Sequence, residues 1–379
     1  MKVTLENVKN AGRFLEQEAS IILLLISMFI LWGLSYYSAR YTEAGLKECP
    51  TTIVDNIAGN LMVFIAITII FFLLRNIVLK RFHCESNRTI SIVVIAAMIY
   101  VAVISVFWVS ICYVVPRADG DALCLIAELV MQGDYETMAF PGYMAYNPHQ
   151  YGLLAVIQIL FHLFGMQNYH AFQYMNALCM PLLFYSGYQL LLLIYGKLEI
   201  ILYYIVFFLS FLPLFLYVPY VYGEIASITF SMVVMWQAVR YCKTGKRTSW
   251  IWGTLAAIFA YIIRMNSLIV LVAVGIMLLV YAVRATKPQA AVWLLVMFLA
   301  VFLANGGIRA YYEKVSGLEI VDGIPYLSYV LMGLHDGPEG PGWFDASNYT
   351  ELALHNFDIE QTAIDHTKDV KEHLGGMEK

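Results

Sequence analysis

Two aspartates, Asp119 and Asp121, follow Pro116 just beyond a long apolar run. A carboxylate at a membrane surface costs free energy unless it is paired, hydrated or used. Within reach of a hydroxyl group it can take up a proton, the general-base step of many transfer reactions. The period of the apolar residues predicts a short amphipathic helix over 121–132, with Asp121, Glu128 and Gln132 on one stripe. Asp121 then has a plain structural use as the N-cap, besides its use as a second acid. Asp119 lies outside that predicted helix and is not needed as a cap, which makes it the stronger catalytic candidate. A third acid, Glu224, ends the run YVPYVYGE and opens an apolar stretch. It serves either a helix N-terminus or the same site as Asp119.

Arg264 and Asn266 fall between two apolar runs, and Arg309 stands just past the last one. An arginine in such a place either snorkels to headgroups or holds an anion, for which a lipid phosphate is the natural candidate in a membrane. Tyr143, Tyr146, His149 and Gln150 supply hydrogen-bond donors and flat surfaces of the kind a sugar site needs. The tyrosines also read as an aromatic belt at headgroup level, and His149 as a satisfied loop histidine. The substrate-binding candidates are thus Arg264, Asn266, Tyr143, Tyr146, His149, Gln150 and Arg309. No cofactor motif stands out. A divalent cation between Asp119, Asp121 and Glu224 can be accommodated in principle.

The elements that position these residues belong to a membrane. Of 379 residues, 61% are apolar and 13% charged, against about a quarter charged in soluble domains. Apolar runs long enough to cross a bilayer recur, which predicts an all-α polytopic transmembrane protein. A transmembrane β-barrel would show alternating segments instead. The net charge of −4 gives no sign of a nucleic-acid partner, and the six cysteines lack CxxC spacing. That spacing excludes a zinc knuckle or a disulfide framework as the organising device.

Residues 1–20 are expected to be a cytoplasmic N-terminal segment, with accessory spans at 21–37 and 57–79 inside 21–89. The core, 90–308, carries spans at 90–114, 176–195, 201–218, 226–238, 250–263, 268–283 and 292–304, about nine in all. The basic stretches at Lys80, Arg81 and Arg88, at Arg240, Lys243, Lys246 and Arg247, and at 284–287 are placed inside. The loop 116–152, the turn before Glu224, Arg264 and the tail 309–379 then fall outside. The same parity makes 151–165 a surface or re-entrant helix rather than a crossing. The tail holds thirteen acidic and five basic residues and is expected to be an acidic extracytoplasmic loop without a compact domain. Tyr326, His335, Asp336 and Trp343 within it are candidates to close over the site.

The run P-x-x-D at 116–119, the amphipathic helix after it and Y-x-x-x-N-P-H-Q-x-G at 143–152 resemble the first extracytoplasmic loop of GT-C glycosyltransferases. The likeness is greatest to bacterial members related to protein O-mannosyltransferases and aminoarabinose transferases, and it covers roughly 90–343. In that superfamily the first loop carries an essential acid near the membrane, followed by juxtamembrane helices. Glu224 occupies the place of a second outer-loop acid, in a YGE setting rather than the commoner Asp. The stretch from Gly323 through Tyr326 to Leu334 is similar to a later outer loop. Two spans precede the usual first one. The family normally continues with more spans or a soluble domain where this chain stops, so a truncated sequence is expected.

The resemblance implies an integral, multi-pass protein of the cell membrane that moves a sugar from a polyprenyl-phosphate donor to an extracytoplasmic glycan, lipid or protein. Asp119 is then the general base and Arg264 the cation for the leaving lipid phosphate. A multi-span transporter or a lipid or polysaccharide flippase is the main alternative, and a non-enzymatic scaffold of a cell-envelope complex is another. A transporter should show inverted repeats and helices broken at midplane, whereas here the polar groups gather at one face.

Overall fold

The computed structural model describes residues 17–18, 21–30, 37–41, 50–54, 56–62, 65–66, 69, 72–73, 87–112, 114–334 and 347–376. Most of 1–20, much of the expected span 57–79, and Lys80, Arg81, His335, Asp336 and Trp343 lie outside the described residues. The chain divides into two compact units, 1–93 with 279–290 and 94–278 with 291–379.

In the first unit an apolar helix, α1 (Ile21–Ile30), precedes an antiparallel hairpin of β1 (Tyr37–Tyr41) and β2 (Pro50–Val54). Tyr37 pairs with Val54 and Tyr41 with Pro50. The hairpin lies where a polar loop was expected over 38–56, and it takes Tyr37 from the end of the expected first span. The β-branched run Thr51-Thr52-Ile53-Val54 suits a pleated strand better than a loop. The expectation of an all-α chain is otherwise met among the described residues.

Onward the chain is helical: α2 (Asn87–Ile111), α3 (Ala118–Met131), α4 (Tyr151–Phe164), α5 (His170–Ile194), α6 (Leu198–Ser210), α7 (Glu224–Thr244), α8 (Thr248–Ile263), α9 (Leu268–Arg284) and α10 (Gln289–Ser316). Among the described residues five helices are long and apolar enough to cross a membrane: Ile90–Ile111, His170–Ile194, Glu224–Thr244, Met265–Arg284 and Gln289–Ser316. This is a helical membrane protein. Ile92, Ile99 and Val103 on α2, and Leu295, Leu299 and Phe302 on α10, are exposed, as side chains facing lipid should be. In the second unit α7 packs between α5 and α8, and α3 packs on α4.

Three further stretches differ from expectation. The run 201–218 is not one helix: α6 stops at Ser210 and a short helix, Leu212–Leu216, follows. Pro213 has no N–H to give to the preceding turn, and its ring clashes with a carbonyl four residues back. At the other end of the core, α10 runs past the expected limit at Ala304 to Ser316. Its 28 residues span about 42 Å, longer than the roughly 30 Å hydrocarbon core, so Arg309 is still on the helix. The tail forms helices rather than an open loop: α11 (Tyr326–Leu334), α12 (Ser347–Leu354) and α13 (Ile359–Gly376). α13 packs on α11 and α12. Buried His366 bonds Ser328 of α11 and Glu351 of α12, Leu352 packs against Tyr146 and Ile324, and many of the acids lie outside this small core.

Candidate functional site

The helix α3 begins at Ala118, so Asp119 sits in its first turn and Asp121 is not its N-cap. Arg117 takes the N-cap position and makes no side-chain cap bond. Both predictions about this helix end are corrected for the same reason. The two aspartates supply first-turn charge that suits the helix dipole, and the chain enters the helix without a capping side chain. That entry is strained: Ala118 has φ of 47°, a region a Cβ disfavours by roughly 1–2 kcal/mol.

Two close backbone approaches bring the site together. A Cβ on Gly120 would lie 2.2 Å from the Val221 carbonyl oxygen, so the first turn of α3 rests on the backbone beside Tyr222. A Cβ on Gly152 would lie 2.0 Å from the Ile262 carbonyl oxygen, which sets the start of α4 against the end of α8, beside Arg264. From below, two fully buried amides of α5 hold the turn. Gln173 donates to the carbonyls of Val114 and Pro219 at 2.8 and 2.7 Å. Asn176 donates to those of Val218 and Tyr220 at 3.1 and 2.9 Å. These bonds tie the chain before α3 and the turn before α7 to one helix.

The side chains then converge. The Tyr222 hydroxyl donates to Asp119 Oδ2 at 2.6 Å and accepts from Gln150 Nε2 at 2.6 Å. The Arg264 guanidinium lies over the Tyr222 ring, 4.1 Å from its centroid, and pairs with Glu224 at 2.8 Å. The other Glu224 oxygen, Oε2, is buried with no hydrogen-bond partner among the described residues. Burial, then the hydrogen bond to Asp119 and its charge, push the Tyr222 phenol up to about 12, so it stays a donor at neutral pH. Burial first, then the charge of Asp119, raise the neighbouring Tyr143 phenol as well. The His149 imidazole is held below its ordinary value, by burial first and by Arg264 next, with Asp119 opposing. Its ring is solvent-exposed and lines a cavity.

That cavity has a volume of about 510 Å³. Tyr146, His149, Gln150, Tyr222, Arg264, Asn266 and Arg309 line it, together with Tyr261, Asn305, Asp322, Tyr326 and Tyr329. Arg309 is not an open cation. It pairs with Asp322 at 3.0 Å and with Glu313 at 3.8 Å, and it also bonds the Ile320 carbonyl. The tail closes one side through Tyr326 and Tyr329 of α11. It is anchored by Tyr349 stacked on Tyr146 at 4.2 Å and Phe357 stacked on Phe140 at 4.7 Å.

Of the candidates named from the sequence, Asp119, Glu224, Arg264, Asn266, Tyr143, Tyr146, His149, Gln150 and Arg309 come together in the network or the cavity. Asp121 does not. Its charge acts on Cys124, where burial first and Asp121 second push the thiol up to about 12. Tyr222, Tyr261, Asn305, Asp322 and Tyr329 were not singled out. Asn305 carried a signal, an amide near the end of an apolar run; Tyr222 carried only its place two residues before Glu224.

Asp119, Asp121 and Glu224 do not form a group with metal-ligand spacing. Among the described residues such a group is Glu351, His355 and Asp365 in the tail. Its members already satisfy one another and their neighbours: His355 pairs with Asp365 at 3.1 Å, Lys368 with Asp365 at 2.7 Å, and buried His366 bonds Glu351 at 2.8 Å. No family model matches the chain, and no curated protein or solved structure matches it.

Proposed function

We propose that the protein is a membrane glycosyltransferase of GT-C type that moves a sugar from a polyprenyl-phosphate donor to a glycan, lipid or protein acceptor at the extracytoplasmic face of the cell membrane. What carries the reading is one convergence. A carboxylate (Asp119), a phenol that binds it (Tyr222) and a guanidinium (Arg264) come from three distant chain segments and meet beside a cavity lined by tyrosines and amides. Hydroxyl acceptor, base, sugar ring and leaving phosphate each have a matching group there.

In this reading the acceptor oxygen forms a bond to the anomeric carbon as its proton passes to Asp119. The bond from the anomeric carbon to the phosphate oxygen breaks, and its electron pair leaves with the lipid phosphate. Arg264 stabilises that developing charge. Attack opposite the leaving group inverts the anomeric centre, and a single carboxylate suffices for the proton, unlike the paired acids of glycosidases. Glu224 holds Arg264 in place at 2.8 Å and keeps it from binding any passing anion tightly. The tyrosines and Asn266 receive the sugar, and α11 shields the donor from water.

The nine-span arrangement counts α1, the run at 57–79, α6 and α8 as spans beside the five long helices. With that parity the site lies on the outer side, and α4 begins and ends on that side as a juxtamembrane helix.

The test uses the purified full chain in native-lipid vesicles, a panel of polyprenyl-phosphate sugars and cell-envelope extract as acceptor. Release of free polyprenyl phosphate from one donor is expected. Absence of release across the panel overturns the reading and leaves transport as its successor.

A further inference from the structure

We propose that Tyr222 is the positioning residue that couples the base to the leaving-group cation, its hydroxyl holding Asp119 and its ring carrying Arg264. The inference rests on the transferase reading above and adds a role that neither residue type nor spacing announces.

The geometry is specific on both sides of the ring. The hydroxyl makes two hydrogen bonds of 2.6 Å each, accepting from Gln150 and donating to Asp119 Oδ2. Gln150 is 3% exposed, so its amide is a fixed donor rather than a solvated one. An amide donating into the phenol oxygen commits the phenol proton to the carboxylate. A chain of such bonds also polarises along its length. Asp119 is itself exposed on the first turn of a helix, where a short side chain has no packing to fix its rotamer. The Tyr222 hydroxyl supplies that restraint.

The ring face does the second task. Arg264 is a C-cap residue in extended conformation, φ −147° and ψ 113°, outside the regular part of α8. Its guanidinium is located by two contacts, the Glu224 carboxylate at 2.8 Å and the Tyr222 ring at 4.1 Å. An ion pair at 22% exposure on each side fixes one edge of the guanidinium; a flat face beneath it fixes its plane. One tyrosine therefore sets the distance between the group that takes the proton and the group that meets the leaving phosphate. Misplacement of either by about an ångström is enough to lose a large part of the rate.

The two contacts can be removed separately. Tyr222→Phe keeps the ring and loses the hydroxyl; Tyr222→Leu loses both. Tyr222→Phe is expected to lower kcat by about 10- to 100-fold while the donor KM changes by less than about twofold. Tyr222→Leu is expected to lower kcat at least as far and to raise the donor KM by about tenfold, because Arg264 loses its support. The second readout is spectroscopic and needs no turnover: 3-fluorotyrosine placed at 222 is expected to shift its ¹⁹F resonance when Asp119 is replaced by Asn. Wild-type kcat in Tyr222→Phe, equal kinetics in the two variants, or an unmoved resonance each overturn the proposal alone. A wild-type protein that consumes no donor overturns the transferase reading first, and this proposal with it.

Discussion

Asp119 accepts from the hydroxyl of Tyr222 and Arg264 lies over its ring. His149 lies in the same field, lowered by burial and then by Arg264. A histidine whose folded value is depressed binds fewer protons folded than unfolded between the two values. Stability therefore falls as pH drops from the ordinary value near 6.5 toward the folded one, and levels off below it. The wild type is expected to lose thermal midpoint across that window, and His149→Gln to lose less. An identical slope in both would show that His149 does not titrate in this field. Much of this site was legible from residue type, because a charge or an imidazole between apolar runs is conspicuous. Tyr222 was not, since a tyrosine at a membrane surface looks the same whether it binds a carboxylate or a headgroup. Asp121 was named for its nearness to Asp119 in sequence, but the two residues project differently from one helical turn.

The elements meet at backbone contacts that leave no room for a side chain, and this is where substitution should hurt most. Gly152→Ala places a methyl 2.0 Å from the Ile262 carbonyl oxygen, a backbone atom. The start of α4 and the end of α8 must part, which costs more than the ~1–3 kcal/mol of ordinary overpacking. Gly306→Ala on α10 meets nothing within 4 Å and should be neutral or gain up to about 1 kcal/mol of helix propensity. Thermal unfolding of the two variants in detergent checks this: a sharp loss is expected for the first only. Comparable midpoints would mean that α4 does not approach α8 as closely as described. The long helices were legible because apolar length is a strong signal. The break after α6 needed only closer reading of Pro213. The tail helices were hidden because α13, with Glu360, Asp365, Asp369 and Glu372 along it, has too little apolar surface to register until α11 and α12 supply its partner faces.

The proposed reaction requires the cavity on the outer side of the membrane. Tyr326, on the first turn of α11, is 79% exposed, and Thr244 ends α7 at the opposite end of that helix from Glu224. A membrane-impermeant maleimide applied to intact cells is expected to label Tyr326→Cys and to leave Thr244→Cys unlabelled until the cells are opened. The reverse pattern would place the cavity on the cytoplasmic side and remove extracytoplasmic acceptors from consideration. A helical membrane protein was readable from the recurring apolar runs. The number of crossings was not, because α6, α8 and α4 have similar short apolar lengths and hydropathy cannot rank them.

The central claim is that Asp119 removes the acceptor proton during sugar transfer, and single-turnover transfer tests it most directly. Donor is bound to wild type and to Asp119→Asn, which keeps the shape and removes the base; acceptor is then added and transferred sugar is followed. The account predicts a loss of at least about a hundredfold in the transfer rate of Asp119→Asn, with donor binding retained. Equal transfer rates in the two proteins would contradict it.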